Sequence, residues 1–472
     1  VALNVHVDTL FDYQAVDAHP QDVGLRVNVP FGKKLLTGII VAVNSDTRIA
    51  VEKLKTAQII FRDIAPLPTA LLDLFQFCSD YYHHPLGMVI MNGLPGKLRG
   101  NKPVKLSAPS NDHQFHLTTT GKQVGLTSIP ARQRIARRLL TELNQSDGLT
   151  SEAAKLISPT AIKLLKAWVE LGWVSAMAIP ATSTLKPSNK PALTQEQEKA
   201  VNAITSEINQ FNTWLLHGIT GSGKTEVYLH IIEQALALDK QTLVLIPEIN
   251  LTPQLEAIFR ARFPAAHLVS LHSGLNDTQR LLGWLQAQQG IARIILGTRL
   301  AVFTPLPNLG LVIVDEEQDG SFKQQDGLRY SARDLAIFRA RQANIPVVLG
   351  TATPSLESYY NALNGRYRSL RLQSRAVENA ALPLIQCIDI RTHKTQEGLS
   401  EPLTQALVRC LAKKHQSLIF INRRGYAPVL LCKSCAWSAT CQRCSSRLVV
   451  HLRDKKLCCH HCGHQENFPR AC

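Results

Sequence analysis

The chain has 472 residues, with 52 lysines and arginines against 36 aspartates and glutamates, for a formal charge of +16. At that length one core is not enough, and three or four domains are expected. No window stays apolar long enough to span a bilayer, and the N-terminus lacks the basic-then-apolar pattern of a signal peptide. The first residue is Val1, so the recorded start reads as processed or incomplete. The basic excess fits a nucleic-acid partner; a membrane surface is the rival, but no strongly amphipathic basic helix supports it. Eight of the eleven cysteines lie between Cys432 and Cys472. Such a cluster of C-x-x-C units points to cytosolic zinc rather than disulfides.

The first hundred residues read as a small β-rich unit followed by a helix. β-Branched residues at 26–29 and 38–43 flank the turn Pro30-Phe31-Gly32-Lys33. Residues 67–82 place Leu71, Leu74, Phe75 and Cys78 on one helical face. Lys33, Lys34, Lys53 and Lys55 are candidates for a phosphate site, although pattern alone favours solvated surface charges. Residues 131–174 read as two or three short helices. The first carries Arg132, Arg134, Arg137 and Arg138, and the last runs over 160–171 into Gly172-Trp173-Val174, which looks like the entry to a β-wing. A basic winged-helix module and a small structural helical domain both fit. Prolines, serines and polar residues then mark a linker near 179–192.

Beyond the linker, Gly218, Ile219, Thr220, Gly221, Ser222, Gly223, Lys224 and Thr225 fit the phosphate-binding pattern G-x-x-x-x-G-K-[ST] without a mismatch. Residues 214–217 read as a short buried strand before it, and Val227, Ile231, Ala235 and Leu238 as the buried face of a helix after it. The glycines let backbone N–H groups turn inward on a di- or triphosphate, with the helix N-terminus adding partial positive charge. Lys224 would reach the β- and γ-phosphates and Thr225 would place its hydroxyl on Mg²⁺. Short apolar strands at 242–246, 291–296, 311–314 and 346–349 alternate with helices, the pattern of an open parallel sheet with ligands at the strand carboxyl ends. One strand ends in Asp315-Glu316-Glu317-Gln318-Asp319, where the first carboxylate can hold Mg²⁺ and the second polarise water. Another ends in Gly350-Thr351-Ala352-Thr353-Pro354.

This ordered set resembles a superfamily 2 helicase core. Leu193-Thr194-Gln195-Glu196-Gln197 is similar to the adenine-reading segment of such enzymes, which implies Gln197 as the adenine contact. Pro247-Glu248-Ile249, His272-Ser273-Gly274 and Gly297-Thr298-Arg299 resemble their DNA-side motifs. Residues 322–327 and 329–334 look like the aromatic DNA-sensing loop of the primosomal protein N′ (PriA) family of replication-restart helicases, with Arg329 among the implied DNA contacts. Residues 422–426 and the cysteine cluster after them match the same family. So do Phe11-Asp12-Tyr13, Val29-Pro30-Phe31-Gly32-Lys33 and residues 80–85. The resemblance implies that Phe11, Asp12, Tyr13, Gly32 and Lys55 capture the 3′ end of a nascent strand. An aromatic stacking on the terminal base and a carboxylate accepting from the 3′-hydroxyl would suit Phe11 and Asp12. It reverses the preference for surface charge at Lys55. The chain departs from the family at Gln318 (usually His), Thr351 (usually Ser) and Leu328 (commonly Trp). The first two keep a hydrogen-bonding group; the third removes a stacking platform.

Cys432/Cys435, Cys441/Cys444 and Cys459/Cys462 are three half-sites, and two such pairs make a tetrahedral zinc site. The resemblance implies one zinc on Cys441, Cys444, Cys459 and Cys462. It implies a second on Cys432, Cys435, Cys472 and a further cysteine, with the chain stopping at Cys472; Cys458, His460, His461 and His464 are alternative ligands ranked below that family pairing. Residues 387–390 and 418–421 read as the start of a second lobe whose late motifs would supply arginine fingers, so the chain reads as a piece of a longer protein. ATP binding is expected of it, and efficient turnover is expected to need the rest of that lobe.

The expected fold class is α/β: a RecA-like parallel-sheet helicase lobe (193–375), preceded by a small β-rich DNA-binding domain (1–105), a winged-helix domain (106–178) and the linker. The start of a second lobe (376–426) and an incomplete zinc module (427–472) follow. The resemblance implies an ATP-dependent 3′→5′ DNA helicase that recognises stalled or repaired forks and starts primosome assembly. Asp315, Glu316 and Lys224 would be its catalytic residues, with ATP, Mg²⁺ and Zn²⁺ as cofactors. Forked and single-stranded DNA, a single-stranded-DNA-binding protein and primosomal loading proteins would be its partners in the bacterial cytoplasm. Another superfamily 2 translocase, such as a fork-reversal or repair enzyme, is one rival, and the cysteine cluster inserted after residues 422–426 argues against it. A non-enzymatic fork-binding scaffold is the alternative from a different class.

Overall fold

The computed structural model describes the chain except residues 45–46, 48, 105–112, 123, 125–128, 131–132, 146–147, 151–153, 155–156, 159, 179–189, 248–252, 377–383, 394, 397, 421–428, 433, 436, 443–446, 453, 460–463 and 470–472. Arg132, most of the linker, Glu248, Ile249, residues 422–426, Cys444, His460, His461, Cys462 and Cys472 therefore lie outside the described residues. The chain divides into two units, Val1–Ala380 and Ala381–Cys472.

Seven parallel strands organise the first unit, in the spatial order Leu268–Leu271, Ile294–Gly297, Gln241–Leu245, Leu309–Asp315, Val347–Thr351, Thr213–Gly218 and Arg368–Leu372. Central strands are apolar without alternation: Leu311, Val312, Ile313 and Val314 are all fully buried, because helices cover both faces of a parallel sheet. One face packs on helices Gln195–Thr205 and Lys224–Ala237. The other packs on Asp277–Gln288, Ala332–Gln342 and Thr69–Tyr82. The two edge strands, Leu268–Leu271 and Arg368–Leu372, were not anticipated. One is only four residues long, and the other interleaves arginines with leucines.

At the N-terminus an antiparallel sheet has the order Ala2–Leu3, Lys34–Ile39, Arg26–Phe31 and Ile59–Phe61. The strand expected at 38–43 lies earlier, because Phe31 pairs with Lys34 across a two-residue turn that places Gly32 at φ 60°. Helix Thr69–Tyr82 buries Leu71, Leu74, Phe75 and Cys78, as its spacing predicts. It buries them in the core of the large sheet: Phe75 stacks on Phe303 at 5.4 Å between ring centres and Phe77 on Phe338 at 3.9 Å. Gln288 Nε2 donates to the carbonyls of Ala65 (3.1 Å) and Pro66 (3.0 Å). Packing thus runs without a break from the N-terminal helices into the parallel sheet.

Residues 113–178 hold a separate core around Phe115, Leu139, Leu140, Leu165 and Trp168. Helices Arg134–Gln145 and Ala161–Glu170 accompany a three-stranded antiparallel sheet made by Leu149–Thr150, His113–Leu117 and Val174–Ala178. In the second unit, three antiparallel strands, Val449–His451, Lys456–Cys458 and Gln465–Asn467, enclose a small core that includes Cys441 and Cys459. Residues 387–390 and 418–420 are not strands, and Leu418 and Phe420 are exposed.

Asp22, buried at the end of the short helical turn Pro20–Asp22, accepts from Arg62 Nη2 (2.7 Å), Arg62 Nε (2.9 Å) and the His19 amide (2.9 Å). The Arg62 hydrogen bond outweighs burial and holds its carboxyl at about 2 instead of 3.8. A depressed folded pKa stabilises the fold above the unfolded value and is lost as pH falls through the folded one. Asp22→Asn is therefore expected to lower the urea midpoint at about pH 6 and to flatten the loss of stability from about pH 4 down to 2. A variant as acid-labile as the wild type over that window contradicts the assignment.

Candidate active site and nucleic-acid interface

Strand Thr213–Gly218 delivers the phosphate loop to the carboxyl edge of the sheet, and helix Lys224–Ala237 begins directly after it. Gly221 (φ 82°) and Gly223 (φ 77°) take left-handed conformations, which only glycine adopts without strain. A side chain on Gly223 would also run into the Gln197 amide. The Ser222 hydroxyl is buried without a hydrogen-bond partner among the described residues. A helix N-terminus of this kind carries unsatisfied N–H donors. A glycine-lined cradle, an orphaned hydroxyl, Lys224, and the oxygen donors Thr225 and Asp315 together fit a magnesium-bound nucleoside triphosphate. Lys224 Nζ donates to the Gly218 carbonyl at 3.0 Å. Thr225 is half-buried, while Ile219 and Thr220 are exposed.

Gln197, expected to read adenine, is almost fully buried. Its Oε1 accepts from Thr194 N (2.8 Å) and its Nε2 donates to the Ser222 carbonyl (2.8 Å). The amide thus ties a helix N-terminus to the phosphate loop, and both of its ends are engaged.

Asp315 ends the strand Leu309–Asp315, and its Oδ1 accepts from the Tyr228 hydroxyl at 2.9 Å. Burial raises its pKa, opposed by the Tyr228 hydrogen bond and by Lys224, and reinforced by Glu316. Glu316 sits at φ 48°, a backbone state costing a non-glycine residue about 1–2 kcal/mol. Neighbouring bonds hold it there: Glu317 N donates to the Gly350 carbonyl (3.1 Å) and Asp319 N to the Glu316 carbonyl (2.8 Å). Gln318 Nε2 donates to Glu316 Oε2 (2.7 Å), while Gln318 Oε1 accepts from the Thr351 hydroxyl (2.6 Å). The two departures from the family pattern therefore bond to each other, and an amide can donate and accept at once at any pH.

Sequence pattern did not single out Tyr228 or the role of Glu317. The Glu317 carboxylate is fully buried and accepts from Ser355 N (2.7 Å), Ser355 Oγ (3.0 Å), Ser358 Oγ (2.8 Å) and Arg333 Nη1 (3.1 Å). The available signal for Tyr228 was its spacing, one helical turn beyond Lys224.

The segment 322–330 turns its apolar residues inward: Phe322, Leu328 and Tyr330 are buried, whereas Arg329 is exposed. Leu328 therefore packs in the core and does not offer a surface platform. The Tyr82 hydroxyl accepts from Ser331 N at 3.1 Å, and Lys323 Nζ lies 5.3 Å from the Tyr82 ring centre. A cavity of about 200 Å³ brings His272, Ser273, Thr298 and Arg299 together with Arg280 and Arg99. The last two were not anticipated.

Phe11, Asp12 and Tyr13 line a second cavity of about 330 Å³ in the N-terminal sheet. Asp12 Oδ2 accepts from the Thr47 hydroxyl (2.7 Å), the Tyr13 hydroxyl donates to the Pro30 carbonyl (3.3 Å), and Phe11 meets Phe31 edge-on at 5.3 Å. Lys55 pairs with Tyr13 between two short parallel strands, and Gly32 lies at the exposed hairpin tip. Neither is in the cavity wall.

Of the expected zinc ligands, Cys441 and Cys459 are buried in one cluster, while Cys432 is half-buried and Cys435 exposed. Among the described residues no three metal-ligating side chains converge. Two thiols brought together by a small ribbon of strands are the donor type zinc takes. His464 pairs with Glu466 at 2.8 Å.

Removing the Glu317 carboxylate leaves the hydroxyls of Ser355 and Ser358 and the Ser355 amide without their acceptor, while the half-buried Arg333 keeps Asp334 and Ser355 Oγ as partners. Glu317→Ala is expected to cost about 1–3 kcal/mol of unfolding free energy in a denaturant titration, the size of stranding buried donors, and a loss well below about 1 kcal/mol, the size of an exposed pair, contradicts the network.

Comparison with known proteins agrees with this geometry. Residues 1–95 match the model of the PriA 3′DNA-binding domain, residues 194–362 that of the DEAD/DEAH box helicase, and residues 441–466 that of the PriA DNA helicase Cys-rich region domain. The replication restart protein PriA of Haemophilus influenzae is 40% identical over 485 residues, an alignment covering 100% of this chain and 65% of that protein. The Bacillus subtilis protein of the same name is 30% identical over 541 residues, covering 99% and 67%. That of Chlamydia pneumoniae is 34% identical over 491 residues, covering 100% and 64%. The chain spans about two thirds of the length of these relatives. With its DEAD/DEAH lobe between a 3′DNA-binding domain and a cysteine-rich ribbon, the chain belongs to the PriA family of replication restart proteins.

Proposed function

We propose that this chain is the greater part of an ATP-dependent 3′→5′ DNA helicase that recognises stalled or repaired replication forks and initiates primosome assembly. One observation carries the reading. The phosphate loop, the Asp315–Glu316 pair and Thr351 stand on three adjacent strands of one sheet, and Gln318 bonds to Glu316 and Thr351 together. Lys224 would bind the β- and γ-phosphates, exchanging its bond to the Gly218 carbonyl for them. Thr225 and Asp315 would hold Mg²⁺, which supplies charge neutralisation at the phosphates when bound. Glu316 would take a proton from the attacking water, and Gln197 would contact adenine on releasing one of its present partners.

At the N-terminus, Phe11, Asp12 and Tyr13 would receive a 3′-terminal nucleotide, with Lys55 and Gly32 beside the approaching backbone. Arg329, on the exposed side of the loop, would meet a phosphate. The cysteine pairs would bind zinc in the arrangement the family resemblance implies, and His464, which pairs with Glu466 through Nε2, would keep Nδ1 for a metal. Single-stranded-DNA-binding protein and primosomal loading proteins would be its partners, in the bacterial cytoplasm. No described helix is long and apolar enough to cross a membrane.

The test is steady-state ATP hydrolysis by a version extended to the relatives' length, stimulated by forks with a free or a blocked 3′-hydroxyl. Glu316→Gln is expected to reduce the stimulated kcat by about 10²–10⁴. Blocked forks should require higher DNA concentrations than free ones for half-maximal stimulation, a difference Asp12→Ala removes. Wild-type turnover in Glu316→Gln, or no response of the wild type to DNA, contradicts the proposal.

A further inference from the structure

We infer that Tyr228 is a positioning residue for the metal-holding carboxylate, locking the rotation of Asp315 so that the carboxylate is presented to a divalent cation. The inference rests on the nucleotide reading of the site and adds a residue that motif spacing does not assign.

Three features support it. First, Tyr228 is 2% exposed and donates its hydroxyl to Asp315 Oδ1 at 2.9 Å. One carboxylate oxygen held by a buried donor, beside the backbone hydrogen bond from Glu316, fixes the angle about the Cβ–Cγ bond of this strand-end residue. Second, the hydroxyl passes through space that only glycine leaves open. Gly350 pairs with Asp315 across the parallel ladder, and a Cβ at Gly350 would collide with the Tyr228 hydroxyl. The strand that ends in Thr351 thus accommodates the Tyr228–Asp315 contact through the absence of a side chain. Third, Tyr228 lies four residues after Lys224 on one helix, so both face the same side. The rigid rod that offers an ammonium to the phosphates also sets the carboxylate that would hold the cation. A buried tyrosine hydroxyl needs some partner, and a backbone carbonyl would meet that need. Here it is met by the carboxylate that begins the Asp-Glu pair.

Ligand-orienting partners of this kind typically change metal affinity by about 10–100-fold when removed. The test uses Tyr228→Phe, which keeps the ring, and equilibrium binding of a fluorescent ATP analogue by the whole chain, in EDTA and across a Mg²⁺ titration. The variant is expected to bind the analogue in EDTA as the wild type does, but to need about tenfold more Mg²⁺ for the half-maximal magnesium-dependent change. Its thermal unfolding midpoint is recorded alongside. An unchanged Mg²⁺ midpoint overturns the inference. So does an equal loss of binding with and without Mg²⁺, which is the signature of a merely structural hydroxyl. If the wild type shows no Mg²⁺-dependent binding, the nucleotide reading itself falls and the inference with it. That outcome is distinct from a wild type that binds and a variant that behaves like it.

Discussion

The buried carboxylate of Glu317 is the constraint on which the site depends. It stands next to the two acidic residues assigned to chemistry yet accepts four hydrogen bonds of its own, from Ser355 N, Ser355 Oγ, Ser358 Oγ and Arg333. A buried charge is tolerable only when paired and hydrogen-bonded. Meeting that requirement pins three segments to one point: the turn after strand Leu309–Asp315, the N-terminus of helix Leu356–Leu363, and the start of helix Ala332–Gln342. The strained backbone of Glu316 lies inside this frame. Strain of that size persists only where its surroundings over-determine it.

The same frame reaches the N-terminal sheet. Arg333 stands two residues after Ser331, whose amide the Tyr82 hydroxyl accepts. Tyr82 belongs to the helix whose Phe75 and Phe77 stack on Phe303 and Phe338. Helix Thr69–Tyr82 is therefore part of the core that also holds Phe322, Leu328 and Tyr330. A close-packed interior of this kind transmits strain from one element to the next. A domain tethered by a flexible linker would have no such mechanical contact.

Much of this was legible in the sequence, for physical reasons. The phosphate loop is local: its glycines, lysine and threonine are fixed by spacing along one strand–loop–helix. Central strands buried on both faces read as unbroken apolar runs, and helix Thr69–Tyr82 showed its buried face. The edge strands did not read, because Leu268–Leu271 is only four residues long and Arg368–Leu372 interleaves arginines with leucines. Tyr228 and Glu317 were missed for another reason. Their roles depend on partners 87 and 38 residues away along the chain, a distance no local periodicity encodes. Gln318 and Thr351 were seen as substitutions that keep hydrogen-bonding groups; their bond to each other became visible only in three dimensions. Lys55 and Gly32 were carried by family resemblance; Lys55 pairs with Tyr13 of the cavity wall, whereas Gly32 stands at the exposed hairpin tip.

The central claim is that the edge from Gly218 to Thr225, with Asp315 across from it, is a nucleoside triphosphate site built into this chain. The most direct test is equilibrium binding of a fluorescent Mg·ATP analogue to the wild type and to Lys224→Ala. A charge-assisted bond from this lysine is worth about 1.5–3 kcal/mol, so saturable wild-type binding and at least a tenfold weaker variant are expected. Equal affinity in the two proteins would contradict the account.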